Sequence, residues 1–162
     1  FSQKPWELYK TETLDVFQAS FRKHHGREAP PPLTGDLMFC HADPGQAEAL
    51  AREYMTNYFL SIVNHYELMS EHFTEAKGYD YYASAGELFR AVGLETAVQS
   101  YVSIQCWGTP AQIVEKLRHR RELLGPFELN AIASYGGMAP DVVHGSVELF
   151  AREVLPEIQK WD

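Results

Sequence analysis

The 162 residues include 14 basic and 22 acidic side chains, a formal charge of −8, with 45% hydrophobic and 22% charged residues. That is enough apolar chain for one sizeable core and too little for two, so residues 1–162 read as a single domain. The acid excess opposes nucleic-acid binding, no apolar run approaches the roughly 20 residues of a membrane span, and Cys40 and Cys106 are too few for a disulfide framework, so a reducing cytoplasm fits best.

Residues 6–25 read as a helix. Leu14, Phe17 and Phe21 line one face, Arg22, Lys23, His24 and His25 fill the last turn, and Gly26 stands ready to cap it. No strand precedes this helix and the chain does not open with methionine, so the start reads as the middle of something longer. Pro30, Pro31 and Pro32 cannot continue a helix and make a stiff connection. Residues 33–40 then predict a strand. Leu37, Met38 and Phe39 are consecutive in it, as in a parallel strand covered on both faces. Asp43 is placed to cap the next helix, with Gln46 completing a variant capping box. Ala47, Leu50, Ala51, Tyr54, Tyr58, His65, Leu68 and His72 continue one face of a long helix, unless it breaks near Asn64.

The pattern fails at Lys77-Gly78-Tyr79-Asp80-Tyr81-Tyr82. Leu88, Phe89, Val92 and Leu94 predict a shorter helix within an excursion spanning residues 78–99. Residues 101–106 alternate apolar and polar side chains and predict a short strand. Thr109, Pro110 and Gln112 supply an N-cap, a first-position proline and a third-position glutamine, the chemistry of a helix start. Ile113, Val114, Leu117 and Leu124 form that helix's buried face; Lys116, Arg118 and Arg120 form its solvated one. After Gly125 and Pro126, residues 127–133 predict a strand, residues 134–139 a loop, and Pro140 the first turn of a final helix. Val143, Val147, Phe150, Ala151, Val154 and Ile158 recur at helical spacing on its core side. Strand and helix alternate with short connections, which implies an α/β chain with a parallel sheet. Ligands in such folds gather outside the carboxyl ends of the strands, so the loop at 134–139 is the first place to look for function.

Seven histidines and two cysteines invite a metal, yet no pair has zinc-site spacing, and no metal is expected. Cys40 and His41 are adjacent on a strand and so point to opposite faces; Cys40 reads as a buried thiol. Gly136 and Gly137 before a helix read first as a turn needing positive φ and second as an anion cradle. Tyr135 and Met138 flank them, where they would either wall a flat ligand or pack on a rim. Trp107 and Gln105 carry the same alternatives beside the other short strand.

Ser134-Tyr135-Gly136-Gly137-Met138, followed by Leu149-Phe150-Ala151-Arg152-Glu153-Val154-Leu155-Pro156, resembles the C-terminal end of bacterial-luciferase-like, flavin-dependent monooxygenases. Trp107-Gly108-Thr109-Pro110-Ala111-Gln112 upstream resembles the helix start that precedes it in that family, and the segment from Lys77 to Tyr82 resembles a subset of it. A whole barrel of this kind needs about 250 residues. The resemblance therefore implies the C-terminal half of a (β/α)₈ TIM barrel, with parallel strands and long helices. It further implies insertion of one oxygen atom from O₂ into a small organic substrate, using reduced FMN supplied by a separate flavin reductase. A deazaflavin-dependent hydride-transfer enzyme is the alternative within the family, and a noncatalytic half-barrel that assembles or binds partners is the alternative outside it. The family's catalytic histidine and most of its flavin-holding groups belong to the N-terminal half, so no catalytic residue is implied here. Tyr135, Gly136, Gly137, Met138 and Trp107 are the implied cofactor contacts at the rim. An open half-barrel exposes strand edges and favours a homo-oligomer.

Overall fold

The computed structural model describes residues 4–70, 77, 78 and 80–161, less the side chains of 80–83 and 85. At its centre is β1 (Leu33–Cys40), the middle strand of a parallel sheet of order β2-β1-β3. β3 (Glu128–Ile132) runs beside its first half, pairing from Leu33 with Glu128 to Leu37 with Ile132. β2 (Cys106–Gly108) runs beside its last three residues, from Met38 with Cys106 to Cys40 with Gly108. Every β1 residue after Leu33 is buried, as the run of consecutive apolar residues predicts.

Helices cover both faces of the sheet. Leu37 and Phe39 pack with Ala51, Met55, Phe59 and Val63 of α3 (Pro44–His65) and with α5 (Leu94–Ser103). Met38 and Cys40 point the other way, to Ile113 and Leu117 of α6 (Pro110–Leu124) and to Phe150 and Val154. The connection from β2 to β3 crosses β1 and reverses the direction in which the sheet grows. With right-handed crossovers, such a reversal puts successive helices on opposite faces. Strands of a (β/α)₈ barrel instead lie in chain order with helices on the outer face alone. The parallel α/β alternation is as predicted; among the described residues the three strands are ordered as in a doubly wound sheet, with helices on both faces.

The N-terminal helix runs as α1 (Trp6–Tyr9), a π-helical turn (Lys10–Leu14) and α2 (Asp15–His25), closed by Gly26 at φ 63°. Only Leu14 of its predicted face is buried; Phe17 is about half exposed and α2 buries nothing. Asp43 caps α3 by accepting the Gln46 N–H at 2.8 Å, but the reciprocal bond runs from the Asp43 N–H to His41 Nδ1 at 3.1 Å, so His41 replaces Gln46 in the predicted box. α3 ends at His65, and its buried stripe of Ala47, Ala51, Met55, Phe59 and Val63 advances in steps of four. His65 is exposed, and His72 lies outside the described residues.

The excursion holds two helices, α4 (Asp80–Val92) and α5, parted by Gly93 at φ 83°. The strand predicted over 101–106 is corrected: Tyr101 and Val102 belong to α5 and only Cys106 reaches β2. Ala97, Val98, Tyr101 and Val102 recur at helical spacing, and an alternation over six residues is too short to reveal the competing period. α6 opens with the predicted capping box, in which Gln112 N–H reaches Thr109 Oγ1 at 3.4 Å and Thr109 N–H reaches Gln112 Oε1 at 2.8 Å. Arg120, predicted on its solvated face, is buried. α7 (Pro140–Leu149) passes through a π-helical turn (Phe150–Val154) into α8 (Leu155–Ile158). Phe150 and Val154 are buried as predicted, but Ser146 takes the inward place expected of Val147, which is exposed. A π turn adds a residue, which rotates the faces before and after it by about 100°.

Candidate functional site

Along a parallel strand, backbone groups point alternately to the two neighbours. β3 stops opposite Leu37, so beyond that point the groups of β1 on that side have no strand to meet. Side chains take over. The Tyr135 hydroxyl donates to Met38 O at 3.2 Å, and Ser146 Oγ accepts the Cys40 N–H at 2.8 Å. On the other edge β2 starts only opposite Met38, and Gln105 Oε1 accepts the Leu37 N–H at 2.9 Å while its Nε2 donates to Tyr101 O at 3.3 Å. Buried backbone groups demand such partners. Ser146→Ala and Tyr135→Phe should each lower stability by about 1–3 kcal/mol, the cost of stranding a buried polar group. Urea denaturation reads this directly, and unchanged midpoints in both variants would remove the edge-capping role.

These bonds define what the predicted loop does. Tyr135 is 7% exposed, sits edge-on to Tyr58 with ring centroids 6.0 Å apart, and has its phenol pKa pushed well up by burial. Gly136 has φ 60°, and a Cβ there would lie 2.0 Å from Tyr54 O. Asn57 Nδ2 donates to Gly136 O at 3.4 Å, and the Met138 N–H returns to Tyr135 O at 3.2 Å to close the turn. Met138 packs against the core. Trp107 stands on the far side of β1, in β2, with its Nε1 donating to Val102 O at 2.7 Å. Lys116 Nζ lies 4.1 Å above its ring and donates to Trp107 O at 2.8 Å; burial lowers the Lys116 pKa. The structure thus brings Tyr135, Gly136, Gly137 and Met138 together and sets Trp107 apart, on the opposite edge of β1.

The carboxyl end of β1 opens onto a cleft of about 430 Å³ between α3 and α7. Phe39, Leu50 and Val142 contribute apolar surface, and His41, Asp141 and Arg152 contribute polar groups. None of the five predicted residues lines it. His41 Nδ1 lies 3.1 Å from the Asp43 N–H and 3.2 Å from Asp43 O; accepting from the N–H puts the proton of a neutral ring on Nε2, donating to the carbonyl puts it on Nδ1. Cys40 and Cys106 are buried thiols, each pushed up to about 12, chiefly by burial, which makes them poor nucleophiles. Among the described residues no group of three His, Cys, Asp or Glu side chains is placed to hold a metal, and no helix is long and apolar enough to cross a membrane. Sequence reasoning missed this cleft because it depends on where β3 joins the sheet. The one legible hint was a serine and a glycine, Ser146 and Gly145, inside an otherwise helix-forming apolar run.

No family model matches the sequence, and no curated protein matches it. Among solved structures, the monooxygenase RslO1 from Streptomyces bottropensis is similar to this chain in fold, with a TM-score of 0.59 and 17% sequence identity. The match covers 96% of this chain and 39% of that one, so the chain spans well under half the length of the monooxygenase it matches, and the likeness is one of fold.

Proposed function

We propose that this chain is the C-terminal part of a flavin-dependent monooxygenase of the luciferase-like group. The observation that supports this reading is a fold likeness to a solved monooxygenase over 96% of the chain, coinciding with the run from Ser134 to Pro156 that resembles the family's closing segment. Reduced FMN, supplied by a flavin reductase, would provide the oxygen chemistry on a small organic substrate. This chain's part is binding and shielding. Gly136, Gly137 and Met138 offer backbone to the cofactor's rim, Tyr135 acts behind them by tying the loop to β1, and Trp107 flanks from the β2 edge. The enzyme is read as a cytoplasmic homo-oligomer.

The test is an FMN titration of this chain and of a protein extended upstream of Phe1 by its own reading frame. Flavin fluorescence should be quenched by the extended protein, and its turnover of reduced FMN should consume oxygen. An extended protein that binds no FMN contradicts the reading; one that binds deazaflavin and transfers hydride without oxygen moves it to the neighbouring activity. The strand order favours a second reading, because β1 between its two chain successors, covered on both faces, describes an open, doubly wound binding domain.

A further inference from the structure

Open α/β sheets bind ligands outside the carboxyl ends of their strands where the strand order reverses. Here the order reverses between β1 and β3, and the cleft at the end of β1 lies at that point, between His41 and the helix that follows β3. At about 430 Å³ it falls within the roughly 300–1,000 Å³ of small-molecule sites. We infer that this cleft binds a small, neutral, mainly apolar organic molecule carrying a hydrogen-bond acceptor, with Gly145 making the room and His41 Nε2 donating to the acceptor.

Gly145 is the independent observation. It sits inside α7 at an ordinary helical φ, where glycine costs about 1 kcal/mol against alanine. Nothing lies within 4 Å of the Cβ it lacks, so no close packing demands it. What the missing side chain leaves is cleft space, since Gly145 is part of the wall. Gly145 is exposed at the cleft wall and unstrained, and natural chains break such local preferences chiefly at functional sites.

The lining sets the ligand's chemistry. Phe39, Leu50 and Val142 give an apolar surface suited to a hydrocarbon body. Arg152 is the wall's guanidinium, but it lies 3.1 Å from Glu153, and Asp141 and Glu148 stand in the same wall, so no surplus positive charge awaits an anion. Ser146 Oγ accepts the Cys40 N–H and donates to Met38 Sδ at 3.7 Å. His41 Nδ1 faces the Asp43 N–H at 3.1 Å and Asp43 O at 3.2 Å; the tautomer that accepts from the N–H carries Nε2–H, the donor for a carbonyl or similar acceptor. This inference stands without the flavin reading.

The experiment titrates the chain with 1-indanone, a neutral bicyclic ketone, and with indane, the same skeleton without the carbonyl, following backbone amide shifts by NMR. The ketone should shift the amides of His41, Ala42, Asp141 and Gly145 and bind about tenfold more tightly than the hydrocarbon. His41→Ala should erase that difference. Gly145→Leu should weaken ketone binding by about tenfold or more, while Gly145→Ala weakens it less and raises the thermal midpoint. Ketone shifts scattered elsewhere, wild-type affinity in Gly145→Leu, or a lowered midpoint in Gly145→Ala would each overturn the proposal. FMN binding is read separately, so failure here leaves the flavin reading intact, and the reverse holds too.

Discussion

Replacing Arg120 with leucine should cost about 3–5 kcal/mol, because it leaves the Asp36 carboxyl buried without its partner. Arg120 Nη2 lies 2.6 Å from Asp36 Oδ2, with both side chains 2–3% exposed. The guanidinium is roofed by Trp6, 3.8 Å from its ring centroid, and flanked by Phe127 at 5.4 Å, while Nη1 reaches Thr34 Oγ1 at 3.3 Å. The pair is close but not well bonded. Asp36 Oδ2 and Arg120 Nε both lack a well-aligned hydrogen bond. Such a pair recovers little of its desolvation cost, so the double variant Asp36→Leu with Arg120→Met should be near neutral, in contrast to either single change. Urea denaturation of the three variants at neutral pH separates these outcomes.

The same pair has a pH signature. Burial outweighs the pull of Arg120 and holds the Asp36 pKa above its ordinary 3.8. The folded state therefore favours the protonated acid. The stability this group contributes is complete below 3.8 and is lost as pH rises through the raised folded value. Wild type should lose stability relative to Asp36→Asn, which does not titrate, across that window.

Gly136→Ala should be almost as damaging, at about 4 kcal/mol, from a left-handed backbone and an overpacked contact together. A Cβ at Gly136 would lie 2.0 Å from Tyr54 O, an atom of α3's backbone that cannot swing aside, and φ is 60°. Gly137, at φ 81° with open space around its absent Cβ, should tolerate the same change with only the dihedral cost, about 1–2 kcal/mol. Thermal unfolding of the two variants compares close approach with backbone strain directly. Equal midpoints would show that the contact with α3 does not matter.

The parts of this fold written in local chemistry were legible. β1 has the predicted bounds because three consecutive large apolar residues need cover on both faces, and α6 opens where Thr109, Pro110 and Gln112 place it. The twin glycines form the predicted turn, with Gly136 positioned by α3 as well as by φ. Arg120 was misread although its spacing was right: Ile113, Leu117, Arg120 and Leu124 form one helical stripe, and the usual exposure of a cation hid that fact. Only Asp36, 84 residues away in sequence on another element, explains it. Ser146 and Gln105 were opaque for a related reason. Each replaces a strand hydrogen bond that β1 lacks because β2 and β3 are short, and strand length is set by tertiary pairing. The strand order itself leaves no local trace, and the cleft depends on it.

Interstrand contacts in a nuclear Overhauser spectrum of the whole chain test the central arrangement most directly. The structure predicts contacts of residues 33–37 with 128–132 and of 38–40 with 106–108, with β1 touching both neighbours. Contacts between 106–108 and 128–132, with none between β1 and β3, would restore chain order, dissolve the reversal beside His41 and contradict the account.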